Sequence, residues 1–166
     1  MKQLKKTSVL FVCLGNICRS PTAEAVLKKM VQDLGKANDF HIESAGTSSY
    51  HVGEPPDSRS EMHGVKRGLQ FTSTAQWFNP DIHFEKFDYI VCMDDNNFNH
   101  VIHSDASGEF KHKIFKMMDF APQAEYRFVP DPYTGGSAGF ELVLDLIEEA
   151  CRGLLKKTHP SVQNKK

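Results

Sequence analysis

The chain has 166 residues, of which 40% are hydrophobic and 25% charged, and its formal net charge is -1. This length is sufficient to bury one hydrophobic core, and the composition is ordinary for a globular protein. The nearly balanced charge argues against nucleic acid and anionic membrane as partners, so any anion site must be local. We expect a single domain over residues 1–158 and a short frayed tail over residues 159–166.

The N-terminus contains three lysines among its first six residues, followed by an apolar run at residues 9–14. This order resembles a secretory signal peptide, but the run is short and no small-residue cleavage pattern follows it. No stretch is long enough to span a bilayer. We therefore interpret the run as a buried strand and expect a cytoplasmic protein. Of the four cysteines, Cys92 and Cys151 fall in apolar segments and are predicted to be inert buried thiols.

Strand and helix patterns alternate along the chain. We predict strands at residues 8–13, 41–44, 87–93 and 113–120. Four helices are also predicted. The first has Ser20 as N-cap, Pro21 at its first position and Gly35 as its stop, and the third is capped by Asp94 or Asp95 and ends near Ile102. The second and fourth are predicted at residues 57–67 and 140–155. Such alternation is typical of an α/β, three-layer fold, a parallel sheet with helices on both faces. Ligands bind these folds beyond the carboxyl ends of the strands, at helix N-termini.

Residues 13–20 join the first predicted strand to the first predicted helix, and their composition suits phosphate binding. A helix N-terminus presents unpaired N–H groups and a partial positive charge to an anion. Gly15 and Asn16 tolerate the left-handed backbone angles that turn successive N–H groups inward. Arg19 offers a planar fork for bidentate bonds to two phosphoryl oxygens. The segment is therefore predicted to cradle a phosphate group.

The same electrostatic field favours Cys13 as a thiolate nucleophile, which Ser20 could stabilise through its hydroxyl group. Phosphoryl transfer also needs a proton donor for the leaving oxygen, and Asp131 is the best candidate. Pro132 restricts Asp131 to extended conformations and helps to fix the direction of its carboxylate. An Asp-Pro pair alone is a common turn, but together with the cysteine loop it predicts a phosphatase.

These motifs resemble those of the low-molecular-weight protein tyrosine phosphatase family, from residue 9 to about residue 155. The resemblance rests on residues 12–21, 44–47, 51–53, 55–57, 89–94 and 131–133. It implies a four-stranded parallel sheet of order 2-1-3-4 and hydrolysis of phosphotyrosine and small aryl phosphates without metal or cofactor. In that mechanism Cys13 attacks phosphorus, and Asp131 protonates the leaving phenol and then activates water. Arg19 and the loop amides hold the phosphoryl oxygens.

The resemblance also assigns the remainder of the site. The phosphate-binding loop would comprise Leu14, Gly15, Asn16, Ile17, Cys18 and Ser20, and the substrate ring would lie between Tyr50 and Tyr133. Relatives specialised for phosphoarginine tend to carry threonine where this chain has Ile17. By family analogy Cys18 could form a reversible disulfide with Cys13 and make the enzyme redox-sensitive, or it could be a small residue packed beneath the loop. The implied partner is a phosphotyrosine protein, and the enzyme would be monomeric or weakly self-associating.

The chain departs from the family pattern at two places. Thr134 replaces a second tyrosine that is frequent in eukaryotic members. Residues 73–76 are Ser-Thr-Ala-Gln where many members have His-x-Ala-Arg, and that histidine helps to brace the loop asparagine. The support of Asn16 is therefore an open question, as is whether Trp77 and Phe78 pack inward or form an exposed patch.

Four alternative interpretations fit these residues less well. Arsenate reductases of the same fold need two further cysteines close together, whereas Cys92 has no neighbouring cysteine before Cys151. A non-catalytic phosphate or phosphopeptide-binding module would not require both Cys13 and Asp131. A metal site is disfavoured because only His100 and His103 have ligand spacing and no cysteine is near them. A nucleotide-binding phosphate loop is excluded, since no Gly-Lys-Ser/Thr follows at the required spacing.

Overall fold

The computed structural model describes residues 5–160, within which strands and helices alternate as predicted. The strands are β1 (Thr7–Cys13), β2 (Phe40–Gly46), β3 (Tyr89–Cys92) and β4 (Ile114–Lys116). The helices are α1 (Arg19–Asp33), α2 (Ser58–Val65), α3 (Pro80–Lys86), α4 (Asp95–Ser104) and α5 (Gly136–Thr158). Of the predicted tail, His159 packs its ring against Phe40, and residues 161–166 lie outside the described part.

The four strands form one parallel sheet in the order β2-β1-β3-β4, which confirms the predicted topology. The register places Cys13 beside Gly46 and Val12 beside Cys92. Because β1 is central and covered on both faces, its sequence is almost uniformly apolar, as expected for a buried parallel strand. The carboxyl ends of β1, β2 and β3 meet at one edge of the sheet, and the loop after Cys13 begins there.

Helices cover both faces of the sheet, as predicted. Successive side chains of β1 point to opposite faces, so Val9 and Phe11 pack with α1 and α5, whereas Leu10 and Val12 pack with α3 and α4. Cys151 lies in the first of these cores and Cys92 in the second, both fully buried. Burial raises the pKa of both thiols well above its usual value, consistent with the inert thiols that the sequence predicted.

The start of α1 differs from the prediction. The helix begins at Arg19, with Cys18 at the N-cap position and no side-chain capping bond, so Ser20 is not the N-cap and Pro21 is not the first helical residue. The hydroxyl group of Ser20 is instead directed into the phosphate-binding loop. The predicted stop is confirmed, because Gly35 follows the helix with a φ of 70°, in the left-handed region.

Two further segments were predicted wrongly. The strand predicted at residues 113–120 is short, because Met117 and Met118 are both buried in the same core and a strand would place them on opposite faces. They lie instead in a 3₁₀ segment, Met117–Phe120. The helix α3 was not predicted, although Asn79 caps it and Pro80 opens it, since seven residues are too few for a periodic pattern.

Capping residues fix the helices near the site. Asp57 accepts hydrogen bonds from the N–H groups of Arg59 and Ser60 at the start of α2. Of the two predicted caps of α4, Asp94 is the one used, and it forms a reciprocal capping box with Asn97. Among the helices of residues 5–160, none is long and apolar enough to cross a membrane.

Candidate active site

The predicted phosphate-binding loop crosses from the end of β1 to the start of α1 and is held against the end of β2. The N–H groups of Thr47 and Ser48 each donate to the loop, to the carbonyl oxygens of Cys13 and Leu14, at 2.9 Å. Gly46 permits this close approach, since a Cβ atom there would lie 2.7 Å from the carbonyl oxygen of Leu14. The backbone of β2 therefore forms one wall of the loop.

Asn16 gives the loop its shape. Its φ of 58° is the only positive φ of a non-glycine residue in the described part of the chain. A left-handed residue inside a turn directs successive N–H groups to one side, as the sequence predicted for an anion nest. Its side chain is buried, so both ends of the amide need partners within the protein.

The sulfur of Cys13 lies where several donors converge. The N–H group of Asn16 donates to Sγ at 3.3 Å, and Oγ of Ser20 lies 3.0 Å from Sγ. Nδ2 of Asn16 donates to the same Oγ at 2.7 Å, so the hydroxyl proton of Ser20 can be donated to the sulfur or to the more distant carbonyl oxygen of Ala45, at 3.5 Å. Donors aimed at a sulfur stabilise its thiolate form.

The other end of the Asn16 amide is braced by a backbone group. Its Oδ1 accepts the N–H of Gln76 at 2.9 Å, so the brace does not depend on which side chain occupies position 76. The side chain of Gln76 anchors its own segment by donating to Glu43 and to the carbonyl oxygen of Ser44, both at 2.9 Å. The loss of the family histidine therefore leaves Asn16 supported.

Ser73, at the position of that histidine, also has a defined partner. Its hydroxyl donates to Oε1 of Glu24 at 3.0 Å, and the hydroxyl of Ser44 donates to the same atom at 2.6 Å.

Trp77 and Phe78, whose packing the sequence left open, differ in burial. Phe78 is fully buried in the core beside α3, whereas Trp77 is 44% exposed.

Arg19 is 5% exposed and is held by a single guanidinium nitrogen. Nη1 donates to Oδ2 of Asp94 at 2.6 Å and to the carbonyl oxygen of Val129 at 3.0 Å. Within residues 5–160, Nε and Nη2 make no hydrogen bond, so they are available to an oxyanion in the cleft. Burial acts to lower the pKa of Arg19, but the charges of Cys13 and Asp94 outweigh it and raise that pKa. The group is therefore a permanent cation.

Cys18 connects the loop to its surroundings. Burial raises the pKa of Cys18 to about 11, although hydrogen bonds from Ser60 and Tyr133 act in the opposite direction. Burial and the contact with Cys18 likewise raise the pKa of Tyr133. Both groups therefore remain protonated at neutral pH, and their contact links the phosphate-binding loop to the loop that carries Asp131.

Asp131 lies on the same cleft as Cys13. Its side chain is exposed, and Oδ1 accepts the N–H of Tyr133 at 3.0 Å, which makes Asp131 the cap of the 3₁₀ segment Pro132–Thr134. This bond and the following proline orient the carboxylate. Arg59 places its guanidinium carbon 4.9 Å from the centre of the Tyr133 ring, a cation–π contact at the edge of the cleft.

The cleft has a volume of about 350 Å³. The sequence predicted nine of its lining residues: Cys13, Leu14, Gly15, Ile17, Cys18, Arg19, Tyr50, Asp131 and Tyr133. The other two predicted site residues, Asn16 and Ser20, are buried and hold the loop through side-chain hydrogen bonds. No group of three or more metal-binding side chains occurs among the described residues.

Sequence reasoning missed three residues of the site. Ser48 and His51 line the cleft but were given no role in it, although His51 belongs to one of the family motifs. Asp94 was predicted as a possible helix cap within a family motif, but the bond from its second carboxylate oxygen to Arg19 was not predicted. The cap itself was the available signal, because a capping aspartate at the carboxyl end of β3 must lie near the carboxyl end of the neighbouring β1.

A thiol at the centre of an anion-binding loop, with a buried guanidinium beside it and a carboxylate across the cleft, defines a cysteine-dependent phosphatase. The family model for low molecular weight phosphotyrosine protein phosphatase matches residues 8–165. The chain belongs to this family, and as a member it is a cysteine-dependent phosphoric monoester hydrolase.

Relatives agree with this assignment over almost the whole chain. The low molecular weight phosphotyrosine protein phosphatase of Rattus norvegicus is 40% identical, covering 96% of this chain and all of the relative. A crystal structure of a protein tyrosine phosphatase from Entamoeba histolytica superposes with a TM-score of 0.89 at 43% identity, covering 94% of this chain and 99% of the other. The structure of a Drosophila arginine phosphatase superposes with a TM-score of 0.84 at 33% identity, covering 91% of this chain and 97% of the other.

Proposed function

We propose that this enzyme is a protein tyrosine phosphatase that hydrolyses phosphotyrosine and small aryl phosphates through a phosphocysteine intermediate. The observation that supports this most is the surroundings of Cys13 Sγ, where Asn16 N–H and Ser20 Oγ converge on a sulfur that shares its cleft with Arg19 and Asp131. A binding module for phosphate would need the cradle and the guanidinium but not a stabilised thiolate facing an acid.

In the first step the thiolate of Cys13 attacks phosphorus, a sulfur–phosphorus bond forms and the bond to the phenolic oxygen breaks. Asp131 donates its proton to that leaving oxygen. In the second step the Asp131 carboxylate takes a proton from water, the resulting nucleophile attacks phosphorus, and the thiolate leaves. Arg19 Nε and Nη2 and the loop amides hold the phosphoryl oxygens in both steps.

The tyrosine preference is supported by the mouth of the cleft. Tyr50 and Tyr133 are 82% and 44% exposed, so both rings are free to contact the ring of a substrate. Leu14 and Ile17 add apolar surface beside them. Since one similar structure is described as an arginine phosphatase, phosphoarginine is the competing substrate to test. Relatives specialised for phosphoarginine tend to carry threonine at the position of Ile17, so the isoleucine favours phosphotyrosine.

We further propose that the partner is a phosphotyrosine-containing protein and that the enzyme works in the cytoplasm. A free thiolate must remain reduced to act as a nucleophile, and the cytoplasm is a reducing compartment. All four cysteines are free thiols in the structure.

The test is hydrolysis of an aryl phosphate, a phosphotyrosine peptide and a phosphoarginine peptide by the purified protein with reductant and chelator. Cys13→Ser should abolish turnover. Asp131→Asn should slow phenyl phosphate hydrolysis by about 10²–10⁴-fold and much less when the leaving phenol is acidic, because that phenol needs no proton. Full activity of Cys13→Ser would exclude the mechanism, and a preference for phosphoarginine would exclude the proposed substrate.

A further inference from the structure

His51 lies on the rim of the cleft in a turn of defined geometry. The N–H of Glu54 donates to the carbonyl oxygen of His51 at 2.9 Å, and Gly53, the third residue of this turn, has a φ of 88°. These features are those of a type II turn, which needs glycine at that position. Oε2 of Glu54 also lies 3.0 Å from Nδ1 of His51, so the ring is fixed by a side-chain bond as well.

The turn is anchored to the segment that supports the phosphate-binding loop. The N–H of Gly53 donates to the carbonyl oxygen of Ala75 at 2.8 Å, and the N–H of Ala75 donates to the carbonyl oxygen of Glu54 at 2.9 Å. Gln76, the next residue, donates its N–H to Asn16. The position of the His51 turn is therefore tied to the position of the loop.

The imidazole ring of His51 also packs directly on that loop. A Cβ atom on Gly15 would lie 3.0 Å from Cδ2 and 3.8 Å from Nε2 of His51. A contact of 3.0 Å is too close for carbon atoms, so the ring occupies the space that any larger residue at position 15 would need. One edge of the ring therefore rests on Gly15 while Nδ1 is held by Glu54.

The preceding residue, Tyr50, packs its ring against this fixed imidazole. Tyr50 is 82% exposed, and an exposed side chain ordinarily exchanges among rotamers at little cost. Its ring meets His51 edge-on, with centroids 4.8 Å apart and an interplanar angle of 81°. This T-shaped geometry is one of the two favoured arrangements of an aromatic pair and restricts the tyrosine ring.

We propose that His51 is a positioning residue of the substrate cleft, which orients the ring of Tyr50 so that it can stack on the phenyl ring of the substrate. The inference rests on the proposed function, since it assigns His51 to the binding of an aromatic phosphate ester. His51 acts through Tyr50 and touches no reacting atom. Its effect is therefore confined to ligands that carry an aromatic ring.

The experiment compares wild type, His51→Ala, Tyr50→Ala and the double variant. For each we would measure kcat and KM with a phosphotyrosine peptide and the inhibition constant of inorganic phosphate, a ligand without a ring. His51→Ala should raise KM about two- to tenfold, the range expected from one aromatic pair, and leave kcat and the inhibition constant of phosphate unchanged. In the Tyr50→Ala background the same substitution should have no further effect.

Two further variants separate orientation from general damage. His51→Phe keeps an aromatic edge for Tyr50 and should restore most of the wild-type KM. His41→Ala removes a ring that bonds a glutamate on β2 outside the cleft and should leave all constants unchanged. A wild type that does not hydrolyse the peptide overturns the proposed function together with this inference. An active wild type overturns the inference alone if His51→Ala leaves KM unchanged, weakens phosphate binding, or acts equally without Tyr50.

Discussion

Asp94 holds Arg19 with one carboxylate oxygen and the start of α4 with the other. Oδ2 accepts from Nη1 of Arg19 at 2.6 Å, and Oδ1 accepts the N–H of Asn97 at 2.9 Å. The guanidinium group that is proposed to bind the phosphoryl group is thus fixed to the start of α4, the helix that follows the neighbouring strand β3. Its orientation is set before a substrate arrives, which reduces the cost of ordering it on binding.

Replacing Asp94 should therefore weaken catalysis although Asp94 does not face the substrate. We expect Asp94→Ala to lower kcat/KM by about 10–100-fold, since a hydrogen bond to a charged group contributes about 1.5–3 kcal/mol. Asp94→Asn keeps an oxygen acceptor and should lose less. Steady-state kinetics with an aryl phosphate would measure this, and Asp95→Asn on the exposed side of α4 is the matched control. Equal activity of Asp94→Ala and Asp95→Asn would contradict the role given to this pair.

Asn16 should be sensitive to substitution while Gln76 should not. Asn16→Gly permits the positive φ but loses both side-chain bonds, and Asn16→Ala loses the bonds and adds backbone strain of about 1–2 kcal/mol. We expect Asn16→Gly to have a lower kcat than the wild type, and Asn16→Ala to have a lower kcat than Asn16→Gly. Gln76→Ala keeps the N–H that braces Asn16 and should retain more than half of the wild-type kcat. A large loss in Gln76→Ala would show that the side chain at position 76, and not its backbone, supports the loop.

The two glycines with the closest backbone contacts should give different defects. Gly46→Ala would place a carbon 2.7 Å from the Leu14 carbonyl oxygen, so we expect the phosphate-binding loop to shift and activity to fall at nearly wild-type stability. Gly153→Ala would place a carbon far inside contact distance of the Phe120 carbonyl oxygen, where α5 packs on the 3₁₀ segment. We expect this variant to lose about 1–3 kcal/mol of stability. Urea unfolding and steady-state kinetics on both variants would separate loss of stability from loss of activity. Identical defects in the two variants would contradict this prediction.

The sequence predicted the sheet and the loop because both depend on local patterns. An apolar strand, the glycine and asparagine after Cys13, and the alternation of elements are visible without tertiary information. The roles of Asp94, His51 and Gln76 were not predicted, because each arises where segments distant in sequence meet. The 3₁₀ segment Met117–Phe120 was missed for a related reason, since its alternating pattern resembles a strand and only its packing against α5 decides otherwise.

His83 should make stability depend on pH. Burial lowers the pKa of His83. The charge of Glu43 raises that pKa and the charge of Lys86 lowers it, and the net shift is downward. Its Nδ1 accepts the N–H of Asn79 at 2.9 Å and must be unprotonated to do so. His83 in the unfolded chain therefore binds a proton more tightly than in the folded protein. Its contribution to the free energy of unfolding is complete above about pH 6.5 and is lost as the pH falls below that value.

This dependence can be measured by urea unfolding between pH 5 and pH 8. One proton gives a slope of at most about 1.4 kcal/mol per pH unit. His83→Asn offers an oxygen in place of Nδ1 and does not titrate, so its stability should vary less with pH over this interval. An unchanged slope in His83→Asn would assign the dependence to other groups.

The high pKa of Cys18 has a consequence for covalent inhibitors. With a pKa of about 11, only about one Cys18 side chain in ten thousand is a thiolate at pH 7, and the thiols of Cys92 and Cys151 are fully buried. An electrophilic compound that enters the cleft would meet two thiols, of which Cys13 is the one whose sulfur is approached by converging hydrogen-bond donors. We therefore expect adducts on Cys13 alone, so that the mass of the labelled protein would report directly on occupancy of the cleft.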